Sequence, residues 1–344
     1  MVSPNSIDVV GFLRGEGTSP ILDVRSPSEF AHGHIPGAVS FPLFSDEERA
    51  IVGTTYKQKG QQQAVKIGLE ITGPKMVDFI TKAEVLGSKS FRVHCWRGGM
   101  RSESVSWLLQ QYGFETQLLE GGYKAYRQEL LRYFSEDLPL RVVTGYTGSG
   151  KTRLLHELAS AGEQVIDLEG YANHQGSSFG NQNCDEQPTT EQFQNDLFDA
   201  FMKLDQKRTI WLEDESICIG RVSLPEPLFT QMNASPHVQI DVQKSIRIEN
   251  LMRDYGQIDK AKLAVATRSI TKKLGHKKAE AALGHIEVGE MQEAASIILT
   301  YYDSSYRKSV ERKAALIEGR YACDGIDFSS LTPTLIEDSL CLSN

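Results

Sequence analysis

"RVVTGYTGSGKTRLLHELASAG", residues 141–162, decides the fold of the longer part of the chain. A short β-branched run leads into a glycine-rich turn, and a helical run closed by glycine follows. Gly145, Gly148, Ser149, Gly150, Lys151 and Thr152 fit G-x-x-x-x-G-K-[ST] in the context that this motif needs, after a strand and opening a helix. Glycines let the backbone wrap around phosphate oxygens, and the loop N–H groups and the helix N-terminus bind them. Lys151 neutralises the distal phosphate, and Thr152 would hold a Mg²⁺ if one is bound. This physics selects a diphosphate or triphosphate whatever it is attached to, so nucleoside triphosphates and prenyl diphosphates are both candidates.

Working outward, "QVIDLEG", "RTIWLED" and "HVQIDV" read as further strands. From 243 onward the chain reads as mainly helical, ending with "MQEAASIILTYYDSSYRKSVERK". The expectation is a doubly wound α/β domain over 139–344 with a helical C-terminal part. "TIWLEDES" ends its strand in Glu213, Asp214 and Glu215, acids placed either to face a metal at the loop or to form a solvated cluster. No metal ligand set is certain.

Upstream, "SPILDVR", "AVSFP", "SFRVHC" and "TQLLEGG" read as strands alternating with the helices "SESVSWLLQQYG" and "YKAYRQELLRYF". They predict a smaller parallel α/β domain over 1–134, joined to the next by the linker "SEDLPL" at 135–140. Its distinctive feature is "VHCWRGGMRS", residues 93–102. Here Cys95 ends a strand, Arg97, Gly98, Gly99 and Arg101 form the loop, and a helix begins. Loop amides, the helix N-terminus and two guanidinium groups all favour thiolate over thiol, so Cys95 is expected to be a nucleophile. The residues alone leave three readings: a buried thiol, a phosphatase nucleophile, or a carrier of sulfur or selenium.

The whole chain bounds these readings. Its 344 residues, 40% hydrophobic and 24% charged, suit two globular domains. A net charge of −8 argues against indiscriminate polyanion binding, though not against local basic patches. The five cysteines are odd in number and widely spaced, without C-x-x-C, so neither a disulfide framework nor a zinc site is indicated. No apolar run approaches the ~18 residues of a membrane span. The N-terminus lacks a signal peptide's basic and apolar regions, and a cytoplasmic location is expected. Between Lys244 and Lys278, ten Lys and Arg stand against three Asp and Glu. Arg268, Lys272, Lys273, Lys277 and Lys278 concentrate that charge. They suit nucleic-acid phosphates, a solvated helix face, or a lid over the loop's own ligand.

"LDVRSPSEFAHGHIPGAVSFP" followed by "HCWRGGMRS" resembles a rhodanese domain, whose loop cysteine carries sulfur as a persulfide. The resemblance implies structural roles for His32 and His34, and a fold-holding role for the strand-end pair Asp23 and Arg25. The loop is longer than the common rhodanese loop. Five residues separate Cys95 from Arg101, the H-C-x5-R spacing of dual-specificity phosphatases. Such a cradle is sized for a tetrahedral oxyanion such as phosphate, or for a phosphorus compound whose other atom is transferred.

With "GYTGSGKT", "DLEGYANHQGSSFG" and "EDESICIGRVSLPE" added, nearly the whole chain resembles the tRNA 2-selenouridine synthase family. That resemblance implies exchange of sulfur for selenium at position 2 of the wobble uridine of tRNA, with selenophosphate as donor. It also implies an S-geranyl intermediate made from geranyl diphosphate. Cys95 would then handle selenium as a Cys–Se species and the Lys151 loop would bind the diphosphate, with no tightly bound cofactor expected. The competing classes are a sulfurtransferase or cysteine-dependent phosphatase, and a P-loop kinase or ATPase with an inert rhodanese module.

Overall fold

The strands Ile21–Asp23, Leu140–Thr144 and Ile210–Glu213 are buried along their whole length, the pattern of parallel sheets covered on both faces. The computed structural model describes residues 6–15, 19–174, 186–255 and 259–341. Within the unit Met1–Tyr133 lie strands β1 (Ser6–Ile7), β2 (Ile21–Asp23), β3 (Val39–Ser40), β4 (Ser90–His94) and β5 (Glu115–Leu119). They form one sheet in the order β1-β5-β4-β2-β3, with every pairing parallel. Phe91 and Val93 on β4 pack with Phe79, Ala83, Val105 and Leu109 from helices Met76–Val85 and Met100–Tyr112. The central strand therefore delivers Cys95 to the carboxyl edge of the sheet, where open α/β sheets bind ligands. Between β3 and β4 the chain forms the helices Asp46–Lys59, Gln61–Thr72 and Met76–Val85, a stretch given no elements in the sequence reading. Ser45 and Glu48 start the first of them with a capping box, each side chain bonding the other's backbone N–H.

The second unit, Phe134–Asn344, holds β6 (Leu140–Thr144), β7 (Gln164–Ile166), β8 (Ile210–Glu213), the hairpin β9 (Cys218–Ile219) and β10 (Val222–Ser223), β11 (His237–Asp241) and β12 (Ile317–Ala322). Its main sheet runs β12-β11-β6-β8-β7, again all parallel. The chain crosses from β6 to β8 and β7 on one side, and later to β11 and β12 on the other. The glycine loop after β6 thus sits at a topological switch point. The segment at 135–140 is fastened to this unit: Gln231 donates to Phe134 O at 2.5 Å and accepts from Leu138 N at 3.0 Å.

After 243 the expected helices appear as Lys244–Tyr255, Lys260–Ser269, Thr271–Leu274, His276–Val288 and Met291–Arg312. The last four enclose a core of their own around Ala266, Ile270, Leu274, Ala282 and Ile298. The chain then returns to the sheet as β12, where a helical continuation was expected. "IEGRYA" interleaves Glu318 and Arg320 with half-buried residues, as suits an edge strand solvated on one side. Residues 175–180 of the "DLEGYANHQGSSFG" motif, and Cys184, lie outside the described residues. Among the described residues no helix is long and apolar enough to cross a membrane.

Candidate active-site loops

Cys95 leaves β4 with only 3% of its surface exposed. Its loop rests on the backbone of the turn after β5: Tyr123 N donates to Cys95 O at 2.8 Å and Lys124 N to Trp96 O at 3.0 Å. Two glycines make that approach possible. Gly98 has φ +64°, and an added Cβ would lie 2.7 Å from Leu119 O. A Cβ on Gly122, at φ +63°, would come within 2.4 Å of Gly98 N. Among the described residues, the N–H groups of Trp96 through Arg101 donate to no backbone carbonyl, as anion-binding amides must.

The side chains around the loop fall into two groups. Ser102, buried in the first turn of helix Met100–Tyr112, places Oγ 3.2 Å from Cys95 Sγ and 3.0 Å from Gly99 O. Arg101 donates to Glu29 Oε2 at 2.8 Å. Burial opposes ionisation of Glu29, but Arg101 and the Ser26 N–H outweigh it and hold the carboxyl below its ordinary range. Arg97 is exposed at the loop tip. The second group faces the interior. Asp23 and Arg25 form a buried pair at 2.6 Å, and Arg25 also donates to Gly33 O and stacks 3.7 Å over the Tyr123 ring. His34 stacks on Phe30 at 3.9 Å. Burial pushes His94 down, leaving a neutral imidazole 3.7 Å from Asp23.

The second loop is pinned differently. Gly148 and Gly150 both take φ +81°. Arg247 donates to Thr147 O at 3.2 Å while paired with Asp303 at 2.8 Å, and Asn250 donates to Gly148 O and to Gly325 O at 3.0 Å each. Lys151 Nζ reaches back to Gly145 O at 3.2 Å, and Tyr306 Oη accepts from Gly145 N at 3.2 Å. Burial works against the Lys151 charge, yet Tyr306, Glu215, Glu169 and Asp214 together raise its pKa, so the ammonium persists. These groups open onto a cleft of about 1210 Å³ whose walls include Leu251, Tyr302 and Tyr306.

The acids divide in a way the sequence did not show. Glu213 is fully buried and accepts from Glu169 N at 2.7 Å, and burial with Asp167 and Glu169 nearby pushes it well above the ordinary range. Asp214 accepts from Thr144 Oγ1 at 2.8 Å and from Lys313 Nζ at 2.5 Å. The carboxylate on Thr152 is that of Glu169, at 3.3 Å, a residue not singled out in the sequence. Glu215 bonds Glu169, and burial together with that neighbour pushes it up to about 8. Hence the acid bonded to Thr152 is Glu169, with Glu215 bonded to it in turn; of the run 213–215 named in the sequence, Asp214 and Glu215 line the cleft and Glu213 does not. Among the described residues no three His, Cys, Asp or Glu converge as a ready-made metal cage. Mg²⁺ needs no such cage, since it binds through one or two protein oxygens plus the ligand's phosphates.

Arg268, Lys272, Lys273, Lys277 and Lys278 are all exposed, on the helices Lys260–Ser269, Thr271–Leu274 and His276–Val288. Arg247, counted with them in the sequence, is buried beneath the glycine loop.

Comparison with known proteins accords with this two-loop architecture. Residues 138–324 match the family model described as the tRNA 2-selenouridine synthase AAA domain, and residues 12–129 match the rhodanese-like domain. Relatives named tRNA 2-selenouridine synthase include that of Nitrosomonas europaea, 39% identical over 69% of this chain and 63% of its own length. The Bdellovibrio bacteriovorus protein is 41% identical over 69% of this chain and 64% of its own. That of Psychromonas ingrahamii is 33% identical over 88% of this chain and 91% of its own. The match thus spans a little under two thirds of the first two relatives and nearly all of the third. The chain belongs to the tRNA 2-selenouridine synthase family.

Proposed function

We propose that the chain exchanges sulfur for selenium at position 2 of a wobble 2-thiouridine in tRNA, in two steps served by two loops. The observation that carries this reading is the division of chemistry between them. The Cys95 loop sets a cysteine sulfur beside N–H groups that have no backbone acceptor among the described residues, whereas the Lys151 loop sets an ammonium beside carboxylates.

Sulfur leaves a thiocarbonyl poorly, and alkylation cures this. The thione sulfur attacks the allylic carbon of geranyl diphosphate, the C–O bond breaks, and diphosphate departs into the Lys151 loop. Lys151 and the loop amides take up the charge that develops on the leaving oxygens. Thr152 and Glu169 are hard oxygen donors that suit Mg²⁺, which would add a further charge beside the leaving group. The S-geranyl product has an electrophilic C2 and a thiol that can depart. Selenophosphate, a tetrahedral oxyanion, fits the Cys95 loop and supplies the selenium that displaces geranylthiol. The exposed lysines from Lys272 to Lys278 would hold the tRNA backbone.

Mass spectrometry of nucleosides tests the reading. Thiolated tRNA incubated with the protein and geranyl diphosphate should yield S-geranyl-2-thiouridine, and added selenophosphate should convert it to 2-selenouridine. An unchanged nucleoside pool, with phosphomonoester or ATP turned over without tRNA, would contradict it.

A further inference from the structure

The chemistry of Cys95 can be carried one bond further, resting on the selenophosphate reading above. We infer that Cys95 attacks the phosphorus of selenophosphate and becomes an S-phosphocysteine, releasing selenium as hydrogen selenide, so that the cysteine carries phosphoryl and never selenium.

Three observations lead there. The loop spans five residues between Cys95 and Arg101 and leaves the N–H groups of Trp96 through Arg101 free of backbone acceptors among the described residues. That is a cradle for three equatorial oxygens around phosphorus, with Cys95 at its base. A single selenium atom on Cys95 would engage fewer of those donors than three phosphoryl oxygens do. Next, Ser102 holds its hydroxyl 3.2 Å from Cys95 Sγ, with Gly99 O at 3.0 Å as the alternative acceptor for its single proton. A hydroxyl aimed at sulfur stabilises a thiolate, both before it attacks and when it must leave again. Finally, the unit Met1–Tyr133 contains no cysteine besides Cys95. Attack at selenium would make an S–Se bond and leave phosphorus with the electron pair. Returning that selenium to the selenide level would then need a second thiol or another reductant.

Attack at phosphorus balances without one. Cys95 Sγ forms the S–P bond as the P–Se bond breaks, and selenium leaves with the bonding pair and takes a proton as hydrogen selenide. Selenide is a weak base and a good leaving group. It attacks C2 of the S-geranyl base and expels geranylthiol. Water then attacks phosphorus, the S–P bond breaks, phosphate departs and the thiolate is restored under the Ser102 hydroxyl. No oxidation state changes.

The test uses the full chain with selenophosphate and no tRNA, quenched in alkaline denaturant. Peptide mass spectrometry and phosphorus NMR then read the Cys95 peptide, while selenide release is followed in time. The expected result is phosphorus on Cys95 with no selenium isotope pattern. In Ser102→Ala the thiolate leaves poorly, so one equivalent of selenide should appear in a burst. Later turnovers should slow by about 10- to 100-fold, the worth of a hydrogen bond to a charged group, and the adduct should accumulate. Selenium on Cys95 without phosphorus overturns the inference and leaves the proposed function standing. So does the absence of any adduct, in wild type and Ser102→Ala alike, while geranylated tRNA is still converted. Phosphoryl-Cys95 with no selenouridine from geranylated tRNA would instead sink the proposed function and leave this inference intact.

Discussion

The two loops share one plan, a glycine turn between a central parallel strand and a helix, yet they are held in opposite ways. Around Cys95 the support is backbone against backbone, from Tyr123 N and Lys124 N, with glycines at the closest approaches. Around Lys151 it is side chain against backbone, from Arg247 and Asn250 on helix Lys244–Tyr255. The fold supplies amides for an oxyanion in both places. The side chains that flank them differ: a cysteine sulfur stands before the first loop, and an ammonium beside carboxylates after the second.

The contrast predicts which kind of change damages which loop. The largest effect is expected from Gly122→Ala, where the new methyl meets backbone that cannot turn aside and φ is positive. Selenation should be lost and the first unit destabilised by at least about 1–3 kcal/mol, with S-geranyl formation retained. Normal selenation by Gly122→Ala would break the comparison. For the second loop the harmful change is truncation. Arg247→Ala strips Thr147 O of its donor and leaves the half-buried Asp303 without its partner, and should cost about 1–2 kcal/mol in that unit, the worth of lost hydrogen bonds to a partly exposed charge. Geranyl diphosphate affinity should fall with it, as a binding titration would show, while the Cys95 loop stays competent.

A pH effect sharpens the contrast further. The folded second unit keeps a proton on Glu215 up to about 8, whereas an ordinary glutamate loses it near 4.5. Between those values the unfolded chain binds fewer protons at this group than the folded one, so the contribution of Glu215 to stability is full below 4.5 and declines as pH rises towards 8. Denaturant titrations across that range should show the decline, reduced in Glu215→Gln and offset by Mg²⁺ with diphosphate. A flat profile in the wild type would contradict the Glu169–Glu215 arrangement.

The smallest effect belongs to the surface. Replacing Lys272, Lys273, Lys277 and Lys278 with Gln should weaken tRNA binding and lower the log–log salt slope by about 0.7–0.9 per lost phosphate contact, with both loops unchanged. An identical slope in a titration at several salt concentrations would remove this face from the tRNA site.

Both loops were legible because their residues are contiguous and their chemistry is local: Cys95 to Arg101, and Gly145 to Thr152. Residues that reach a loop from far along the chain were not. Tyr306 and Lys313 arrive at the glycine loop from the distant end of helix Met291–Arg312 and the turn after it, and no local pattern announces them. Charge counting took Arg247 into the basic segment 244–278 without saying which face it served, since composition cannot separate a buried guanidinium from an exposed one. The acid run at 213–215 drew attention to Glu213, but strand burial turned that carboxyl inward and left Thr152 to Glu169. β12 escaped because an edge strand with charges on its open side lacks the apolar run that marked β6 and β8, and the two-residue strands β1, β9 and β10 are too short to show any pattern.

The central claim is that the two loops perform separable steps. Crossing Cys95→Ala and Lys151→Ala with thiolated and pre-geranylated tRNA, and reading the nucleosides by mass spectrometry, tests it most directly. Cys95→Ala should accumulate S-geranyl-2-thiouridine and form no 2-selenouridine. Lys151→Ala should fail on thiolated tRNA and still convert the pre-geranylated form. Loss of both products in Cys95→Ala, with the protein folded and binding tRNA, would contradict the account.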